Sequence, residues 1–373
     1  MTPFAFVFPG QGSQSVGMLD AWGDNAAVRR TLAESSDALG QDMARLIREG
    51  PKDQLDLTTN TQPVMLTAAI ACYRAWLAET GLEPAVVAGH SLGEYSALVA
   101  AGALSLTDAL PLVRFRAQAM QDAVPVGVGA MAAILGLDAQ TVVDGCAEVA
   151  AATGEAVEAA NFNDPKQTVI SGSKAGVDQA CELLKAKGAK RALLLAVSAP
   201  FHSSLMRPAA ERLKERLASL ALAVPKISVL NNIDVKIETD PLAIRNALYR
   251  QAFGPVRWVE IVQAIRARSL SHIIECGPGK VLAGLCKRID ADVVSGSVFD
   301  PTSMAHAKDL LALAPFLTAR SPWSPVPRAA SAGPSRWSWR SVASRSSAAP
   351  PPRPERRRSP TRWQPTPAVA ACA

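Results

Sequence analysis

The sequence predicts an α/β protein, a parallel-sheet core with a small βαββαβ domain set into it. Three observations carry this. Apolar runs at residues 4–8, 85–88 and 272–276 each end in a glycine-containing turn that leads into a helical pattern, as expected of parallel strands buried on both faces. Between residues 130 and 196 the rhythm changes to strand, helix, strand, strand, helix, strand. The chain has 373 residues, 49% of them hydrophobic, enough for one large or two medium cores.

Residues 4–8 read as the first buried strand. It runs into Pro9-Gly10-Gln11-Gly12, a tight turn without the Gly-Lys-Ser/Thr of a phosphate loop. Residues 24–50 read as helical, and 62–79 as a helix ended by Gly81. Residues 85–88 read as a strand, then Gly89-His90-Ser91-Leu92-Gly93, then a helix over 94–101 closed by Gly102. Strand, G-x-S-x-G, helix is the order of a nucleophile elbow. The glycines permit a sharp turn and Ser91 projects from it. The Leu92 N–H lies at the helix start, where backbone donors are free and the dipole favours negative charge. An ordinary glycine-bracketed turn is the competing reading, and the flanking strand and helix argue against it.

Residues 105–122 read as a helix with Ser105 and Asp108 as a capping pair. Arg116 stands beside its apolar stripe of Leu106, Leu110, Val113, Ala117 and Met120. Pattern alone favours a guanidinium that snorkels to water or forms an internal salt bridge. Residues 125–129 form a hinge-like loop. The strands at 130–135, 156–161, 167–171 and 191–196 and the helices at 139–152 and 174–187 then follow in the ferredoxin-like order. Residues 226–231 and 272–276 read as further core strands. Of the four histidines, His202, in a proline-bounded loop just after the insert, is the best candidate for a general base. His90 is held inside the elbow, His272 begins an apolar strand, and His306 lies near the tail.

The six cysteines are scattered, with no metal-type C-x-x-C, and read as reduced core thiols of a cytosolic protein. The most apolar stretch, 85–106, contains His90 and Glu94 and does not read as a membrane span. The N-terminus lacks the basic region of a signal peptide. The net charge of +6 arises in the last part of the chain. From residue 313 onward there are ten Arg, no Lys and one acid, Glu355, and without that segment 29 basic and 32 acidic residues remain. The segment is rich in Ala, Arg, Pro and Ser, with Trp323, Trp337, Trp339 and Trp363, and shows no periodicity. Its composition predicts disorder. A basic interaction tail and a linker are the alternatives to the favoured reading, GC-rich DNA translated out of frame.

Seven motifs in order then give a resemblance. They are F-P-G-Q-G-S-Q at 8–14, G-H-S-L-G-E-Y at 89–95, R-F-R-A-Q-A-M at 114–120, N-F-N-D-P at 161–165, A-P-F-H-S at 199–203, N-N-I-D-V-K at 231–236 and E-C-G-P-G-K-V-L at 275–282. Over residues 3–312 the chain resembles the malonyl-CoA:acyl-carrier-protein transacylase family. The resemblance implies a hydrolase-like core over 1–126 and 198–312, with a ferredoxin-like insert at 127–197. It implies Ser91 as nucleophile, His202 as base, and Gln11 with the Leu92 N–H as oxyanion hole. Arg116 would bind the malonate carboxylate, and the Gln251 carbonyl would orient His202. His90, Phe201 and Asn161 would complete the substrate site. No acidic third member of a triad is expected.

The implied reaction moves malonyl from malonyl-CoA to the phosphopantetheine thiol of acyl carrier protein through a seryl ester. No resident cofactor or metal, no nucleic acid and no membrane is expected, and the protein would act as a monomer. A serine esterase or thioesterase, or a polyketide-type acyltransferase, is the alternative.

Overall fold

The computed structural model describes residues 2–317, with side chains described through residue 312. The tail read from 313 onward therefore lies outside the described residues, except that the last helix, Pro301–Leu317, continues five residues past the expected boundary. Among the described residues there are nine strands: β1 (Phe4–Phe8), β2 (Val86–Gly89), β3 (Gly129–Leu135), β4 (Val157–Asp164), β5 (Gln167–Ser173), β6 (Arg191–Leu194), β7 (Ser228–Leu230), β8 (His272–Cys276) and β9 (Val294–Val298).

The main sheet has the order β7-β2-β1-β8-β9, and every pair in it is parallel. Its central strand, β1, shows why both faces are covered. Successive side chains of a strand point to opposite faces. Phe4, Phe6 and Phe8 point to one side, where Phe6 meets Tyr73 and Trp76 of the helix Thr58–Thr80 edge-to-face. Ala5 and Val7 point to the other, against a cluster with Trp258, Ile261 and Leu285 from the helices Trp258–Arg266 and Val281–Ile289. A parallel sheet must be covered in this way because its crossover helices return along its faces.

The second sheet has the order β4-β5-β3-β6 and is wholly antiparallel. With the helices Ala139–Thr153 and Lys174–Ala186 packed on it, this is the ferredoxin-like arrangement read from the sequence. Both sheets belong to one compact unit. No helix among the described residues is long and apolar enough to cross a membrane.

Two element readings change and one strand is added. The single helical stretch over 24–50 is two helices, Ala26–Leu39 and Met43–Glu49. Gly40, at φ +58°, ends the first, and the Asp42 side chain caps the second. The helix expected from residue 62 begins at Thr58. The edge strand β9, of sequence VSGSV, carries too little apolar alternation to be read in advance. The capping pair held: Ser105 accepts from the Asp108 N–H at 3.0 Å and donates to the Asp108 carboxylate at 2.7 Å.

Gly89 and Gly93 allow the strand-to-helix turn to close. A Cβ on Gly89 would stand 1.8 Å from the Gly93 carbonyl carbon, and one on Gly93 would stand 2.1 Å from the Phe8 oxygen. Both obstacles are backbone, so neither can move aside alone. Gly89→Ala should destabilise the fold by at least ~3 kcal/mol, the upper end of ordinary overpacking, as measured by urea unfolding. A change within experimental error would show that the turn has room to spread.

Candidate active site

Ser91 sits on the turn between β2 and the helix Gly93–Ala100, at φ +52°. His202 lies in the loop after β6, at φ +59°. Non-glycine residues avoid this region, and each such placement costs of order 1–3 kcal/mol that the surroundings must impose. The two side chains meet: Ser91 Oγ is 2.7 Å from His202 Nε2. His202 Nδ1 lies 2.9 Å from the Gln251 carbonyl and 3.1 Å from that of Gly254. Carbonyl oxygens only accept, so Nδ1 carries the proton and Nε2 presents its lone pair to the Ser91 hydroxyl. Burial, and next the charge of Arg116, push the imidazole down to about 3, so it rests neutral. A neutral imidazole with a free Nε2 lone pair on a serine hydroxyl is the resting state a general base needs.

The local bonding of the elbow leaves one donor open. The N–H groups of Gly93, Glu94 and Tyr95 go to the carbonyls of His90, Ser91 and Leu92. The Ser91 N–H goes to Asn232 Oδ1 at 2.8 Å. Among the described residues the Leu92 N–H has no assigned acceptor, which is what the oxyanion reading requires. Gln11, the other expected donor, is exposed, and its Oε1 accepts from Gln62 Nε2 at 3.3 Å.

Arg116 departs from its pattern-based reading. It neither snorkels nor forms an ion pair among the described residues. It is 2% exposed. Its Nη1 donates to Gln62 Oε1 at 2.9 Å, and its Nη2 to Gln251 Oε1 at 3.1 Å and Ser91 Oγ at 3.3 Å. The Tyr95 ring lies 5.4 Å from the guanidinium carbon, within cation–π range. Its Nη donors thus go to neutral oxygens and no carboxylate is hydrogen-bonded to it, the nearby buried Glu94 acting on its charge only at longer range, and its Nε has no partner.

The remaining expected site residues divide. Gln251 is fully buried and acts through both main chain and side chain. His90 donates from Nε2 to Asn163 Oδ1 at 2.8 Å. Asn161 is buried in β4, paired with Val256. Phe201 packs on Met131, Ala133, Ala160 and Val169 of the small sheet and anchors the loop of the base. His272 is the satisfied strand histidine expected, with Nδ1 2.9 Å from Ser271 Oγ. Gln62, Glu94, Asn163 and Asn232 also take part. Three of them lie inside motifs quoted for the resemblance, whereas Gln62 carried no sequence signal.

A strained serine at the end of a parallel sheet, a neutral histidine on its hydroxyl and an open backbone donor beside it define an enzyme that forms and breaks acyl esters on serine. The comparisons agree. Residues 5–291 match the family model described as the acyl transferase domain. The malonyl CoA-acyl carrier protein transacylase of Escherichia coli K12 is 50% identical over 311 residues, 83% of this chain and all of the relative. The corresponding protein of Bacillus subtilis 168 is 45% identical over 308 residues, 82% of this chain and 96% of the relative. The crystal structure of an acyl-carrier-protein S-malonyltransferase from Burkholderia pseudomallei 1710b is 66% identical, with a TM-score of 0.81 over 83% of this chain and all of that one. The chain belongs to the acyl transferase family and, within it, to the malonyl CoA-acyl carrier protein transacylases.

In the free enzyme, NMR of labelled histidine should find His202 in its neutral Nδ1–H form from pH 8 down to pH 5. The sign follows from the cause: burial and Arg116 both disfavour the imidazolium, so protonation is deferred to lower pH. A titration with its midpoint near 6.5 would contradict the burial argument.

Proposed function

We propose that this protein transfers the malonyl group of malonyl-CoA to the phosphopantetheine thiol of acyl carrier protein, feeding fatty acid synthesis. The single observation that carries the choice of acyl group is Arg116, a buried guanidinium 3.3 Å from the nucleophile with no carboxylate paired to it. Malonate brings the missing carboxylate, and an arginine can bind it bidentately. Acetate brings none. A relative of 47% identity was solved in complex with a type II PKS acyl-carrier protein, which supports a carrier protein as acceptor here.

Ser91 Oγ attacks the thioester carbonyl as His202 Nε2 takes its proton. The tetrahedral oxyanion faces the Leu92 N–H, with Gln11 on its other side. The C–S bond then breaks, His202 returns the proton to the leaving sulfur, and CoA departs. The carrier thiol repeats the sequence in reverse on the malonyl ester, so a difficult exchange becomes two easier ones. Transfer over hydrolysis requires that water be kept from the ester, and His202, the group that would activate a water, is 3% exposed. We read the protein as a cytoplasmic monomer without a resident cofactor, the pantetheine arm being supplied by its partner. Size-exclusion chromatography with light scattering tests the monomer.

Mass spectrometry after incubation with malonyl-CoA should find a malonyl adduct on Ser91, lost in Ser91→Ala. Arg116→Ala should lower kcat/KM for malonyl-CoA by roughly 10²–10³, the weight of one partner of a buried ion pair, and should lower acetyl transfer much less. Arg116→Lys should recover only part, since an ammonium lacks the planar fork. Equal losses for both acyl groups would show that Arg116 is structural and that malonate is read elsewhere.

A further inference from the structure

Glu94, near the start of the helix Gly93–Ala100, is 2% exposed, and a carboxyl group so deeply buried requires hydrogen-bond donors. One of its oxygens has two. Oε2 accepts the Asn232 N–H at 2.9 Å and Gln251 Nε2 at 3.1 Å. Each of these partners reaches the dyad. Asn232 accepts the Ser91 N–H at 2.8 Å and donates from Nδ2 to the Gly89 oxygen at 2.6 Å, which clamps both arms of the elbow. Gln251 donates from Nε2 to the Ser91 carbonyl at 2.9 Å, and its own carbonyl takes the His202 Nδ1 proton at 2.9 Å.

We propose that Glu94 is a positioning residue for acyl transfer: one carboxyl oxygen sets Asn232 and Gln251, and through them both the Ser91 turn and the carbonyl that orients His202. It rests on Ser91 and His202 being the dyad of the transfer proposed above. Two functions of a triad's acid are thereby separated. Main-chain carbonyls hold the imidazole proton, and the acid holds the groups that hold the dyad.

The acceptor matters here more than the charge. Burial pushes the Glu94 carboxyl up to about 7. The charged groups that face it are Arg116 from the helix Leu106–Ala123, Asp234 and Glu238 from the segment after β7, and Arg250 from the helix Pro241–Gln251. Near neutral pH the group is divided between its two forms, and in both Oε2 can go on accepting two N–H bonds. An amide oxygen at the same place can do so as well.

Single-turnover acylation of Ser91 by malonyl-CoA, followed by quenched-flow mass spectrometry, tests this on wild type, Glu94→Ala and Glu94→Gln, each checked for native circular dichroism. Glu94→Ala should acylate about 10²-fold more slowly, the usual loss when reacting groups shift by about 1 Å, with half-saturation changed by less than about threefold. Glu94→Gln should recover to within about fivefold of wild type. Asn232→Ala breaks the same link one step nearer the nucleophile and should show the same split, which covers the case of an alanine variant at Glu94 that does not fold. A folded Glu94→Ala that acylates at the wild-type rate, or a Glu94→Gln as slow as Glu94→Ala, would overturn the role of Glu94 alone. Wild type without an adduct on Ser91 would overturn the transfer reading and this role with it.

Discussion

The buried guanidinium of Arg116, with no carboxylate hydrogen-bonded to it among the described residues, is the constraint to which the surrounding helices answer. A buried charge is costly unless most of its donors find acceptors. Here the partners come from separate elements: Gln62 from the helix Thr58–Thr80, Gln251 from the end of the helix Pro241–Gln251, and the Tyr95 ring from the helix after the elbow. None carries a full negative charge, so the hydrogen bonds fix the guanidinium without neutralising it. The helices meet at the end of the sheet where Ser91 emerges, which places a positive potential on the nucleophile. Gln251 ties that potential to the base, since one residue bonds Arg116, Ser91 and His202.

The small sheet is part of the same device. Its strand β4 supplies Asn163 to His90 at 2.8 Å and Glu158 to the Ser204 N–H at 3.0 Å, so it touches the elbow on one side and the loop of the base on the other. Phe201 fills the angle between that loop and the sheet. Main-chain bonds Phe162 N–Val256 O and Val256 N–Ala160 O, at 2.9 and 2.8 Å, join β4 to the segment that follows the Gly254 carbonyl. Arg288 on the main-sheet side pairs with the buried Asp164 at the end of β4. Both dyad residues are held at positive φ, and strain of that kind persists only where neighbours on several sides oppose relaxation.

Local chemistry made much of this legible in the sequence. The elbow was readable because its glycines and serine are consecutive, and its two glycines prove to be excluded volume rather than flexibility. The βαββαβ order was readable because period-2 and period-3.6 patterns alternate cleanly there. His202 emerged because few histidines compete with it. Relations between distant segments were legible only where the resemblance supplied them, as for the Gln251 carbonyl on His202. Arg116 looked like a snorkelling or salt-bridged side chain because nothing local shows that Gln62 and Gln251, 54 and 135 residues away, turn amide oxygens onto it. That Asn163 meets His90 was equally hidden, since the two lie 73 residues apart. Glu94 and Asn232 stood inside quoted motifs, but their bond spans 138 residues.

Holding the base with carbonyls also bears on how malonate is chosen. A carboxylate on Nδ1 would stabilise the imidazolium before any substrate arrived. Here burial and the nearby positive charge of Arg116 keep His202 neutral instead. On the transfer reading, the malonate carboxylate lands on Arg116 and offsets the smaller of the two effects that oppose protonation of His202, burial being the larger. The same contact that binds the substrate therefore raises the basicity of the group that activates Ser91. An acetyl group brings no such charge, so it gives the proton transfer no such help. Selectivity then resides partly in the transition state, where it raises the rate for the right acyl group instead of only tightening its complex.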